Sequence, residues 1–164
     1  MSSIGEVLRI RLSRARRLAV IGVGDELLPS DRMGMAVARA LESRSIPGVR
    51  IFLAGTMPEN ITGPVKEFQP DHILIADAAE MGAVPGSAAI IEPGDIPATL
   101  FSTHVIPLPV VMEYLAQATA AQVTLIGIQP DFEHTGPDLT QEEALSVERI
   151  ADAIARVMTK AKTG

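Results

Sequence analysis

The chain reads as an α/β protein built as a three-layer sandwich, a mostly parallel twisted sheet of about five strands with helices on both faces. Three observations predict this. Short apolar runs at 18–23, 72–76 and 123–128 have the continuous hydrophobic pattern of strands covered on both sides. Segments of helical periodicity alternate with them, which is the order of strand-helix-strand units. Hydrophobic residues make up 47% of the chain and aromatics only 3%, so the core must be aliphatic. A length of 164 residues suits one domain, 1–164, with a helix within 1–16 packed on it.

Residues 3–15 form the first predicted helix, because Ser3 and Glu6 stand at capping-box spacing and Ile4, Val7 and Leu8 give it an apolar edge. Arg9, Arg11, Arg14, Arg16 and Arg17 read as a solvated basic half. A strand at 18–23 runs into Gly22 and Gly24, and Val37, Ala38 and Leu41 recur at helical spacing after Gly34. The loop 25–33 therefore joins a strand's carboxyl end to a helix's amino end, where ligands sit in open α/β sheets. Ile46-Pro47-Gly48 punctuates the chain before a strand at 49–53, which Ala54-Gly55-Thr56 ends. A helix is expected from Pro58 to Phe68.

The strand at 72–76 delivers Asp77 at its carboxyl end, where a charged residue is expected to be exposed. A turn at 81–86 leads to a strand at 87–92, antiparallel or at an edge because the link is too short for a crossover helix. Residues 93–109 hold four prolines and His104, predicting an irregular loop with one helical turn. Loops of that length are uncommon unless functional. A helix at 108–118, a strand at 123–128 and a polar loop at 129–138 follow. The last helix spans about 140–160, with a second capping box in Thr140 and Glu143 and a stripe of Val147, Ile150, Ile154 and Val157.

Charge and composition exclude several functions. A net charge of −6 argues against a general nucleic-acid surface. With no cysteine there is no disulfide, thiolate metal site or thiol nucleophile, so any metal site must use Asp, Glu and His. No run is long and apolar enough for a membrane span or a signal peptide, and a cytoplasmic, monomeric protein is expected.

The Gly-x-Gly turn after the first strand invites a nucleotide reading, but Leu27 stands where the third glycine belongs. Asp25, Glu26, Ser30 and Asp31 line the loop, repelling phosphate and suiting a cation, unless Ser30 or Asp31 caps the next helix. With parallel strands, Asp31 and Asp77 share one sheet edge and His104 can fold back over it. Two carboxylates and an imidazole suit nickel, zinc, manganese or iron. The bland alternatives are a helix cap for Asp31, a turn anchor for Asp77 and loop packing for His104.

The ordered segments GVGDELLPSDRMG, GTMPEN, ILIADAAEMGAVPG, STHVIP and LIGIQPD resemble the hydrogenase maturation endopeptidases, closest to the branch serving formate-hydrogenlyase-type enzymes. The resemblance covers about residues 17–155. It implies an endopeptidase that removes the carboxyl-terminal extension of a nickel-iron hydrogenase large-subunit precursor after nickel insertion. It also implies Asp31 and Asp77 as catalytic acids, Asp31, Asp77 and His104 as contacts to the precursor's nickel, and Asp25, Gly55 and Thr56 as substrate contacts. The sequence departs from the family pattern at Asp25 (for asparagine), Ser30 (for the first acid of a pair), Leu53 (for aspartate) and Ala54 (for glycine). The alternative is a non-catalytic maturation factor of the same fold that binds a metal or a hydrogenase subunit.

Overall fold

The computed structural model describes residues 3–95 and 107–160. Five strands, β1 (Leu18–Val23), β2 (Val49–Gly55), β3 (His72–Ala78), β4 (Ala88–Ile91) and β5 (Gln122–Ile128), form one sheet in the order β2-β1-β3-β5-β4. The first four in that order run parallel, and β4 adds antiparallel to β5. The expected edge position of β4 is therefore observed, and its antiparallel direction follows from a connection too short for a crossover helix.

Helices α1 (Ile4–Arg11), α2 (Met33–Glu42) and α5 (Gln141–Lys160) cover one face, where Leu8, Met33, Val37, Leu41, Ile150 and Ile154 pack on Val20, Leu74 and Ile126. Helices α3 (Thr62–Phe68) and α4 (Leu108–Thr119) cover the other, where Val65, Val111 and Leu115 meet Ile21, Ile73, Ile75 and Leu125. Alternate residues of β1 and β3 serve the two cores, as the period of a strand requires. Both strands are buried along their whole length.

Several boundaries differ from expectation, among them β2, which runs to Gly55 and not 53. Helix α1 ends at Arg11, four residues early, because after Leu12 the backbone bonds tighten to i→i−3, from Ser13 N–H to Ile10 O and from Ala15 N–H to Leu12 O. Ser3 caps it as expected, accepting from the Glu6 N–H at 3.2 Å. The helix expected from Pro58 is split into a 3-10 turn, Pro58–Ile61, and α3, because Thr62 Oγ1 bonds back to Glu59 O. Strand β3 continues through Asp77 to Ala78, since both residues pair with β5, opposite Gly127 and Ile128. The capping box of α5 is reciprocal: Glu143 N–H donates to Thr140 Oγ1 (3.1 Å) and Thr140 N–H to Glu143 Oε1 (2.9 Å). Of the expected loop at 93–109, residues 93–95 form a 3-10 turn and 96–106 lie outside the described residues. Among the described residues no helix is long and apolar enough to cross a membrane.

At the amino edge of the sheet, His72 of β3 is buried and its Nε2 lies 2.9 Å from Thr124 Oγ1 on β5. Burial pushes its imidazole down to about 4; Asp71 partly opposes the shift and Arg11 adds to it. The unfolded chain takes up this proton near pH 6.5, whereas the native protein does so near 4. The stability that His72 contributes is therefore complete above about pH 6.5 and drains away as pH falls towards 4, by up to about 3 kcal/mol. Urea unfolding at pH 7 and pH 4.5 should show a smaller loss of stability in His72→Leu than in the unmodified protein. An equal loss in both would exclude His72 as the source.

Candidate active site

The carboxyl edge of β1 and β3 is organised around two glycines. Gly34, in the first turn of α2, lies so close to the strands that a Cβ there would stand 2.1 Å from Ala76 O and 2.5 Å from Val23 O. Its lack of a side chain lets the helix sit directly on the ends of both strands, next to the residue that precedes Asp77. Gly24 has φ +124°, and a Cβ on it would meet Asp31 O at 2.0 Å. The chain can therefore double back and bring Asp31 against the end of β1.

Asp31 is buried, and its Oδ2 accepts the Asp25 N–H at 2.9 Å, closing the loop across six residues. The residue at the N-cap of α2 is Arg32, with no side-chain cap bond, so the cap alternative for Asp31 does not describe the geometry. Asp25 in turn accepts the Leu27 N–H at 2.9 Å. Asp77 is 1% exposed, not exposed as expected, because β1 and β5 flank β3 on both sides; its Oδ1 accepts the Ala78 N–H at 2.9 Å. Both carboxylates thus sit at one end of the sheet on well-packed backbone. Gly55, with φ +58°, accepts the Gly24 N–H at 2.8 Å, and Thr56 follows it at the same edge. His104 lies outside the described residues.

Arg32 and Gln129 were not singled out from the sequence, yet both shape this edge. The buried Arg32 guanidinium donates to Gly136 O (3.0 Å), Pro137 O (2.9 Å) and Asp138 O (2.8 Å), and lies 3.6 Å from the buried Glu143 carboxylate. Glu143 Oε2 also accepts the Asp131 N–H at 3.1 Å. Arg32 therefore ties the loop after β5 to the residue beside Asp31. Gln129 Oε1 accepts from Met81 N–H (2.6 Å) and Ala83 N–H (3.3 Å), fixing the connection after β3. Nothing local in the sequence marks Arg32, because its acceptors are more than a hundred residues away.

Among the described residues no group of three or more His, Asp or Glu side chains is arranged to hold a metal ion. Asp31 and Asp77 supply two oxygen-donor side chains, which suit a divalent cation that brings other ligands of its own. A cavity of about 630 Å³ lined by Arg11, His72, Met112 and Thr124 opens at the amino edge, the end of the strands away from these carboxylates. Chemistry in open parallel sheets belongs to the carboxyl edge, so this cavity is not taken as the active site.

Fold and edge together define an α/β protein with two buried carboxylates, Asp31 and Asp77, at the carboxyl edge of its central strands. The profile of the HycI hydrogenase maturation protease family matches residues 35–157. A Methanocaldococcus jannaschii protein named as a hydrogenase maturation protease is 31% identical over 96% of this chain and 97% of its own length. The hydrogenase 3 maturation protease of Escherichia coli K12 is 33% identical over 66% of this chain and 70% of its own. The crystal structure of the nickel-iron hydrogenase maturation protease HycI from Thermococcus kodakarensis superposes with a TM-score of 0.81 at 31% identity, covering 93% of this chain and 99% of that one. The chain belongs to the hydrogenase maturation protease family, a family of peptidases. The profile match begins after the Asp31 loop, whereas the M. jannaschii relative matches nearly the whole chain.

Proposed function

We propose that this endopeptidase removes the carboxyl-terminal extension of a nickel-iron hydrogenase large-subunit precursor once nickel has been inserted. The family match supports the reaction, and the burial of Asp31 and Asp77 at one sheet edge is the structural observation that carries the site. The nickel belongs to the precursor and is part of the substrate. Asp31 and Asp77, with His104 as the sequence resemblance implies, are the groups that reach it, while Asp25, Gly55 and Thr56 contact the peptide.

The reaction is hydrolysis of one peptide bond. Water adds to the scissile carbonyl, a carboxylate takes up its proton, the C–N bond breaks and the proton passes to the departing amine. A nickel ion close to the bond would polarise that carbonyl or the water. Incubating the protein with nickel-loaded and nickel-free precursor tests this: a mass loss confined to the loaded form is expected. Intact loaded precursor would favour the non-catalytic maturation factor.

Since the metal comes with the substrate, the isolated protein should bind divalent ions weakly, with Kd in the range of about 10 μM or above for two or three protein ligands with open positions. Calorimetry with nickel and zinc measures this. A nanomolar site would indicate a resident catalytic metal instead.

A further inference from the structure

Large apolar side chains are unevenly spread over the surface. Leu27 (89% exposed), Leu28 (43%), Met57 (44%), Val84 (72%) and Phe132 (42%) all stand on connections that leave the carboxyl ends of β1, β2, β3 and β5. The strand order places Met57 on one side of the Asp31 loop and Val84 and Phe132 on the other. Val84 and Leu145 also line a cleft of about 300 Å³ between the β3–β4 connection and α5. Its wall is fixed by close packing, since a Cβ on Gly86 would stand 2.8 Å from Glu142 O. Exposed apolar surface continuous with an active site marks where a macromolecule is held.

The same edge is acidic. Asp25, Glu80 and Asp131 each accept an N–H of their own loop, from Leu27, Gly82 and Glu133, and Glu133 is exposed beside them. Of the nearby cations, Arg39 is paired to Glu26 and Arg32 is buried against Glu143, while Arg149 lines the cleft beside Val84 and Glu142, so carboxylates still outnumber cations along this edge. Arg14, Arg16, Arg17 and Arg50 lie at the opposite, amino edge. The molecule is therefore electrically polar along its strands, with the negative end around the site.

We infer that the rim formed by Leu27, Leu28, Met57, Val84 and Phe132 docks the folded body of the precursor, on a face whose apolar side chains are flanked by Lys and Arg. This rests on the functional reading above. Two features favour a folded body over the tail alone. The connections stand on four adjacent strands, roughly 14 Å across at the usual strand spacing, wider than one extended peptide. They also flank the carboxylates on both sides, so a surface spanning them lies over the site and presents the tail to it.

The test uses the nickel-loaded large-subunit precursor with its extension intact. The Leu27→Ser/Val84→Ser double variant alters two side chains that stand in solvent, and its melting temperature should match the unmodified protein. Its KM should rise roughly tenfold or more with kcat retained, the signature of lost uniform binding. Ile10→Ser, exposed on α1 away from the rim, should leave KM unchanged. The KM of the unmodified protein should also rise as salt goes from about 50 to about 300 mM, as expected for charge-assisted docking. An unchanged KM in the double variant overturns the docking surface while leaving the proteolytic reading in place, and a salt-independent KM overturns its basic complement. If the unmodified protein cleaves no loaded precursor, the functional reading falls and the docking surface with it.

Discussion

Asp77→Asn should lower precursor cleavage per folded molecule by about a hundredfold or more, the scale of losing a proton-transferring or charge-stabilising carboxylate. The substitution keeps the side chain's shape, and the amide oxygen can still accept the Ala78 N–H that Asp77 Oδ1 accepts now. What changes is the charge and one set of lone pairs. Because Asp77 is buried, stability will not be untouched, as it would be at a surface position. The new NH2 group needs an acceptor where a carboxylate needed donors, at a cost of about 1–2 kcal/mol, or a few degrees in melting temperature for a chain this long. Activity must therefore be normalised to folded protein, by near-UV circular dichroism and thermal melting on the same preparation. Near-normal cleavage per folded molecule, with the melting temperature alone reduced, would make Asp77 a structural residue of the β3 terminus.

The largest loss of stability is expected from Gly34→Ala. The added methyl group would have to occupy space 2.1 Å from Ala76 O and 2.5 Å from Val23 O, and both obstacles are backbone atoms of paired central strands. Neither can rotate away, so α2 must lift from the sheet. The cost should be about 3 kcal/mol or more, or roughly 6–12 °C in melting temperature. Helix α2 starts two residues after Asp31, so cleavage should fall with it. Gly63→Ala in α3 is the matched control: nothing lies within 4 Å of the added Cβ, and the change should be neutral or slightly stabilising. If Gly34→Ala melted like the control, the contact between α2 and the strand ends would not be holding the Asp31 loop in place.

Sequence and structure agree most closely where the physics is local or periodic. The buried runs of β1, β3 and β5 and the capping box at Thr140 were legible because each is written within a few neighbouring residues. Strand order was partly legible: parallel pairing followed from the alternation of elements, and the edge position of β4 from the short connection before it. At the candidate site, the Gly24 turn and the acids that follow it, Asp25, Glu26 and Asp31, were readable as a ligand loop. The burial of Asp77 was not, because a carboxylate after an apolar run looks the same whether its strand stops there or pairs for two more residues. The Arg32 clamp was hidden for a related reason. Its meaning depends on carbonyls at 136–138, and an arginine between Asp31 and a helix reads like any solvated charge until the chain is folded.

The Arg32 clamp also sets when the molecule can be complete. During synthesis the Asp31 loop and α2 emerge early, but the carbonyls that receive the guanidinium belong to residues 136–138 and its carboxylate neighbour is Glu143. Strand β4 waits in the same way, since its neighbour in the sheet is β5, made some thirty residues later. A partly translated chain can pair β1, β2 and β3, yet its acid loop still lacks the carbonyls and carboxylate that surround Arg32. Long-range contacts of this kind bear the full entropy of closing a large loop before they return any stability. The edge that carries Asp31 and Asp77 is thus finished only when the last third of the polypeptide has been delivered, so a ribosome-bound fragment holds both acids without the contacts that complete their surroundings.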